Sequence, residues 1–378
     1  MKHMTALKTA AALIALAMSS TACAQSTTEA PMAPEAEQAS AKAASPFPPR
    51  IIGSVNVDDN TSAPLQYSRS AELNASPGEV WAFITSSKGL AEILDPLESV
   101  SETADGRSRT LQFVGGPAVV ENVVANDAAT RTHAYALAEP NPFGISDHFG
   151  VITVTPADAR EGSVVAWSLH FNHPDAQAAV PGMISVLDSA MANLTGNFGG
   201  FASHGGDEGF GPAIMVQSRL VEAPMNEVWA LMAEGYGDAH LWSSGIGSIN
   251  LTKSEDGNRI GEKRACFIPA FNGEVKETII QYDEEEGFFA YSIDQGLPPF
   301  ATYGATTWSM SLVDEETTLL TVKIELDIAD GVPPQAVAFA RTNFSAGMRI
   351  AIDDAKFFLE RGEVHPRKAA ALKATQPG

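Results

Sequence analysis

Glu121 and Glu277 are the residues whose setting suggests chemistry. Each lies inside an apolar, β-rich stretch, VENVVAND and KETIIQYD, six residues ahead of an aspartate, Asp127 and Asp283. A carboxyl turned toward an apolar interior has a raised pKa and can hydrogen-bond a ligand hydroxyl or ketone, or move a proton. On the other face of its strand it is merely solvated. Arg264 is spaced to pair with Glu277 across neighbouring strands. Other reactive types are scattered. His170 and His173 are three apart on a strand, which points them to opposite faces, so no metal site is expected. Asp147 and His148 are adjacent and diverge for the same reason. Cys266 reads as a small apolar strand residue. GxSxG and HExxH are both absent from the sequence.

The elements that must position these residues occur twice. SAELNASPGEVW (Ser70–Trp81) recurs as SRLVEAPMNEVW (Ser218–Trp229), with Ala75, Glu79, Val80 and Trp81 matching Ala223, Glu227, Val228 and Trp229. Ser76-Pro77-Gly78-Glu79 predicts a capped helix start. Trp81 and Trp229 are expected to anchor the core. In the first copy a helix over Leu90–Leu97 precedes strands at 110–114, 119–124, 132–137, 149–155 and 164–171, then a long helix over 177–194. In the second, strands at 248–253, 262–268, 274–282, 288–294, 305–312 and 318–326 precede a long helix from Pro333 to Arg361. Glu121, Asp127 and Tyr135 fall on Glu277, Asp283 and Tyr291 at one offset. The segment GNFGGFASHGGDEGFG (196–211) lacks the lysine of a phosphate loop and reads as a linker.

A net charge of −22 over 378 residues disfavours nucleic acid and anionic surfaces. Lys2 and Lys8 ahead of the apolar run TAAALIALAM (9–18) read as an export signal. Cleavage after Ala24 would release the chain to the periplasm. Cleavage before Cys23 would leave a lipidated cysteine as a membrane tether. The Ala-, Ser- and Pro-rich stretch that follows reads as a tether of its own. The expected layout is signal 1–24, tether 25–63, first domain 64–195, linker 196–212, second domain 213–362 and tail 363–378.

The Ala-Pro and Glu-Val-Trp signature, the strand meander and the closing long helix together resemble the START/Bet v 1-like superfamily, also called SRPBCC or polyketide cyclase/dehydrase-like. The resemblance implies an α+β fold of two helix-grip domains, each a curved antiparallel sheet around a long C-terminal helix with an apolar pocket between them. The meander is also similar to that of plant abscisic-acid receptors. Their pocket glutamate falls on Glu277 and Glu121, their pocket tyrosine on Tyr303 and Phe149, and their ligand-binding lysine on His240 and about Glu92, a departure that disfavours an acidic ligand. Their gate loop resembles Phe267-Ile268-Pro269-Ala270 and Gly115-Gly116-Pro117-Ala118.

The expected ligand site therefore comprises Arg264, Phe267, Glu277, Tyr291, Tyr303, Trp308, Phe344 and Met348, with Glu121, Phe149 and Trp167 in the first domain. The second pocket, richer in aromatics, is expected to be the better formed. The expected function is an exported binding or carrier protein for a small hydrophobic molecule, such as a lipid, a polyketide-like compound or an aromatic. It would need no cofactor and no nucleic-acid partner. Two alternatives stand beside it: a cyclase or dehydratase in which Glu277, with Tyr303 or His240, moves a proton, and a non-binding envelope scaffold.

Overall fold

The computed structural model describes residues 51–52, 55–56, 65–94, 97–157, 161–203 and 213–374. Its first domain runs β1 (Leu65–Leu73), α1 (Pro77–Ile84), α2 (Ser87–Ile93), β2 (Leu97–Glu102), β3 (Ser108–Phe113), β4 (Ala118–Asp127), β5 (Thr132–Leu137), β6 (Ser146–Pro156), β7 (Ser163–Asn172), α3 (Ala176–Phe198) and β8 (Gly200–Ser203). The strands form one antiparallel sheet in the order β8-β1-β7-β6-β5-β4-β3-β2. The second domain runs β9 (Ala213–Val221), α4 (Met225–Trp229), β10 (Ser248–Thr252), β11 (Lys263–Ile268), β12 (Gly273–Asp283), β13 (Phe288–Gln295), β14 (Ala301–Asp314), β15 (Thr317–Ile328), α5 (Pro334–Arg361) and α6 (Pro366–Ala374). Its seven strands are ordered β9-β15-β14-β13-β12-β11-β10. Each sheet wraps its long helix, giving the two helix-grip domains of an α+β fold.

Local chemistry starts the first domain as expected. The Ser76 hydroxyl accepts from the Glu79 amide at 3.3 Å, and Glu79 Oε2 accepts from the Ser76 amide at 3.1 Å, a complete capping box. The second leader has no side-chain cap. There α4 is five residues long and passes into a π-helical turn, Ala230–Glu234, and a 3-10 turn, Tyr236–Leu241. That winding buries Tyr236, Ala239 and Trp242 in the second core.

One clamp fixes both long helices. Arg69 Nε on β1 donates to Asp188 Oδ1 on α3 at 2.5 Å, and Arg219 Nε on β9 donates to Asp353 Oδ1 on α5 at 2.7 Å. Each guanidinium also donates to the carbonyl of the preceding serine, Ser68 or Ser218.

Three segments differ from the sequence expectation. The helix read over Leu90–Leu97 ends at Ile93, and Leu97 opens the edge strand β2. The expected linker begins as the last turn of α3, which runs to Phe198, and continues as strand β8, paired to β1. Gly200 makes that pairing feasible: at φ +101°, an added Cβ would lie 2.0 Å from the Glu72 carbonyl oxygen. The expected tail contains α6, which docks on the second domain. Asp354, with no side-chain exposure, accepts from the Ser244 amide at 2.7 Å and from Arg367 Nη2 at 2.9 Å, while Lys368 Nζ donates to the Ile246 carbonyl.

The sheets pack back to back through the faces turned away from their helices. Phe149, Val151 and Ala134 of the first meet Leu220 and Leu319 of the second, and Val164 and Ala166 meet Ile214 and Val216. Polar pairs flank this seam. Thr130 Oγ1 and Ser311 Oγ are 2.7 Å apart, and the buried Lys323 Nζ donates to Thr155 Oγ1 at 2.8 Å and to Glu325 Oε2 at 3.2 Å.

Candidate functional site

A four-residue cluster is built once in each domain. Arg109 on β3 stands in register with Glu121 on β4, Nε to Oε2 2.5 Å, and both side chains are under a tenth exposed. The guanidinium lies 5.7 Å from the Tyr135 ring centroid, and Tyr135 Oη accepts from Trp167 Nε1 at 3.0 Å. In the second domain Arg264 pairs with Glu277 at 2.5 Å, lies 4.9 Å from the Tyr291 ring centroid, and Tyr291 Oη accepts from Trp308 Nε1 at 3.3 Å.

The tryptophans reach their tyrosines from different strands. Trp167 is on β7 opposite Ile152 of β6, whereas Trp308 is on β14, the counterpart of β6, opposite Val322 of β15. Large and small residues have changed places across a strand pair, and the hydrogen bond is kept.

The space around the two clusters differs. In the first domain a cavity of about 670 Å³ lies between the concave sheet face and the first turns of α3. Leu111, Val119, Leu137 and Met183 make its apolar walls, and Glu121, Tyr135, His148, Trp167 and His173 also border it. An apolar chamber of this size with a few clustered polar groups is a typical small-molecule site. In the second domain the described residues of the equivalent region are packed together. The Tyr236 ring lies on Arg264, 4.0 Å from centroid to Cζ, and beside Tyr291 and Phe289 at 5.6 and 6.3 Å.

The long helices explain part of this contrast. The shift that brings Asp188 onto Asp353, 165 positions, also brings Met183 onto Met348, Leu187 onto Ile352 and Ala190 onto Ala355. At that shift Ala179, which borders the cavity, falls on Phe344, which packs against the second core. Among the described residues the open chamber is in the first domain, contrary to the expectation from aromatic content: Tyr291 and Trp308 are buried in the second core.

Burial sets the charge states. It raises the Glu121 carboxyl above its ordinary value, with Arg109 pulling the other way. It depresses His148 to about 3, so the imidazole facing the cavity is neutral at neutral pH. It raises the Tyr135 phenol, which keeps its proton. A chamber with a neutral imidazole, a phenol and a carboxyl can orient a ligand oxygen and can exchange protons with it.

Of the expected site residues, Glu121 and Trp167 border the cavity. Arg264, Glu277, Tyr291 and Trp308 come together, but in a packed interior with Met348. Phe344 is half-buried at its edge. Phe267 lies on the opposite pleat from the buried Arg264 and Cys266 and is 39% exposed. Phe149 packs in the seam between the sheets. Tyr303 likewise falls on the face of β14 that carries Ser311, opposite the core-facing Trp308 and Met310. Both aromatics are one residue out of phase with the concave pleat, where each β position changes face. Cys23 lies outside the described residues. Cys266 is a free, buried thiol pushed up to about 12 by burial. Among the described residues no group of three His, Cys, Asp or Glu is arranged to hold a metal.

Arg109, Tyr135 and His148 were absent from the expected site. The repeat carried the signal for the first two, since Arg109 stands before Glu121 much as Arg264 stands before Glu277, and Tyr135 matches Tyr291. His148 has no such signal. The offset that puts Tyr135 on Tyr291 puts it on Gly304, where an added Cβ would lie 2.6 Å from Leu297.

The polyketide cyclase / dehydrase and lipid transport family matches this chain twice, over residues 64–199 and 212–356. Similar solved structures include two di-domain ARO/CYC proteins. BexL, from the BE-7585A biosynthetic pathway, is 13% identical over 78% of this chain and 99% of its own, with a TM-score of 0.34. StfQ, from the steffimycin biosynthetic pathway, is 14% identical over 79% and 99%, with a TM-score of 0.35. A START superfamily protein from Mycobacterium smegmatis is 16% identical over 38% of this chain and 96% of its own, with a TM-score of 0.31. No curated protein matches the chain.

Proposed function

The chain belongs to the polyketide cyclase / dehydrase and lipid transport family in both of its halves, and on that premise we propose that it binds and carries a small hydrophobic molecule in the cavity of the first domain. The observation that carries this reading is the chamber of about 670 Å³ beside a buried Arg109–Glu121 pair. Its apolar walls favour an uncharged ligand, and Tyr135 and His148 offer hydrogen bonds to one or two ligand oxygens. Mass spectrometry of small molecules retained by the natively purified protein tests it. The expected result is a bound hydrophobic compound that Ala179→Phe, which narrows the chamber, reduces or removes. A protein that emerges empty and gains no thermal stability from a library of hydrophobic compounds would sink the proposal.

The presence of Glu121, Tyr135 and His148 in one chamber favours a second reading, cyclase or dehydratase chemistry with Glu121 and His148 exchanging protons with a bound ketone. This moves the candidate acid–base group from Glu277 to Glu121. Turnover of a polyketide-like ketone that His148→Gln abolishes while binding persists would support it. We also propose export, with residues 1–24 as signal and Cys23 as the acylation point. Mass analysis of the native N-terminus decides between an acylated Cys23 and a start at Gln25.

A further inference from the structure

A smaller space lies outside both helix-gripping interiors, in the seam where the two sheets meet. It is a crevice of about 30 Å³, room for one or two water-sized groups, and it shares no lining residue with the first-domain cavity. Both domains build it. Arg131 and Thr155 come from the first, and Gln281, Thr307, Ser309 and Lys323 from the second. Two of these are cations. Among the described residues no carboxylate borders the crevice, in a chain of net charge −22.

The repeat shows how particular the two cations are. Arg131 sits at φ +49°, in the left-handed region that favours glycine. Its carbonyl accepts from the Val154 amide at 3.0 Å, and the Gly287 carbonyl accepts from the Met310 amide at 2.8 Å, both partners 156 positions further along. Gly287, at φ +70°, is thus the unstrained choice for this turn, and the first domain carries an arginine in its place. Lys323 is equally peculiar to its own domain. Val322 stands opposite Trp308 as Trp167 stands opposite Ile152, so Lys323 falls on Ser168. Each half contributes one cation that the other copy lacks, and both border one crevice.

The donors there suit an anion. Lys323 is buried, and its Nζ directs two protons to Thr155 Oγ1 and Glu325 Oε2, leaving a third. Because Thr155 Oγ1 accepts that bond, its own proton can be donated. Thr307, opposite Lys323 on β14, and Ser309 add hydroxyls, and Gln281 adds an amide. Glu325 neutralises one of the two cations, which leaves a single positive charge.

We propose that this crevice binds one small monovalent anion, of chloride size, between Arg131 of the first domain and Lys323 of the second, and that the ion ties the two halves together. The single uncompensated charge sets the valence, and the volume sets the size. An anion there relieves the repulsion between the two cations, which water in the same place does not.

The test uses the full-length protein exchanged into sodium gluconate, whose anion is too large for the crevice. Sodium chloride is titrated in at constant ionic strength, and binding is read from the chlorine NMR line width. The wild type should show a saturable excess width that sodium bromide removes and sodium sulfate of equal ionic strength leaves in place. Arg131→Gly, which installs the other copy's residue and relieves the backbone, should fold and bind chloride about tenfold more weakly, as should Lys323→Met. Circular dichroism establishes that each variant is folded. Chloride should raise the thermal midpoint of the wild type and leave that of Arg131→Gly level. Absence of saturable broadening in the wild type overturns the proposal. Broadening retained in either folded variant also overturns it, because the ion would then sit elsewhere. So does removal by sulfate as readily as by bromide, since the site would then not select by size. An equal rise in midpoint for wild type and Arg131→Gly overturns the tie between the halves.

Discussion

Arg109 and Glu121 share an interior in which neither charge is well placed alone. Replacing Glu121 with Ala leaves a buried, uncompensated guanidinium, expected to destabilise by about 3–5 kcal/mol. The double variant Arg109→Met, Glu121→Leu should recover most of that loss, because two charges leave the interior together. Urea denaturation of the single and double variants checks both statements. A pH effect belongs at this scale too. His133 and His148 are depressed by burial from 6.5 to about 3. Between those values the unfolded chain holds protons on these side chains that the folded chain does not. Their contribution to stability is therefore complete above pH 6.5 and is lost as pH falls through the window, by up to ~1.4 kcal/mol per pH unit for each. Glu121, raised by burial, acts in the opposite sense, one group against two. Denaturation midpoints should fall from pH 7 to pH 5, with a shallower slope in His148→Phe.

Among the elements, the two leaders show how one sequence pattern gives two windings. Ser76 and Glu79 close a capping box on α1, while Pro224 offers no side-chain cap to α4. Ser76→Ala should lower stability by about 1 kcal/mol, measurable as a shift in the urea midpoint. What was legible in the sequence followed strong local signals. The capped start of α1, the alternating strands and the long apolar stripes read correctly, and so did the duplication. Strand β2 was hidden because LESVSE has two apolar residues and lies at a sheet edge, where burial imposes no alternation. Strand β8 was hidden because glycine marks a linker and a strained strand start alike. Within the site, Glu121, Glu277 and Arg264 were legible as charges in apolar runs. The outward turn of Phe149 and Tyr303 was not, since it depends on a register of one residue. The exchange of tryptophan between β7 and β14 was also invisible, because it is a relation across strands and leaves no pattern along either.

The whole molecule is four layers deep: helix, sheet, sheet, helix. The central seam buries Phe149 against Leu220 and Leu319, with Lys323 bonded to Thr155 across it. Unfolding should be cooperative between the halves. Calorimetry is expected to show one thermal transition for the wild type and two for Phe149→Asp, which places an unpaired charge in the seam. The seam also fixes how the concavities relate, since the faces that grip α3 and α5 are those turned away from it. The two helix-gripping faces therefore look in opposite directions, away from the seam.

The back-to-back contact also governs how the chain can be divided. Either half alone would show that sheet face to water, where Phe149, Val151, Leu220 and Leu319 would be a liability. In the whole chain each half covers that face of the other. Residues 65–203 or 213–374 expressed separately should clump or pair with copies of themselves, whereas the two fragments produced together should recombine into a soluble heterodimer.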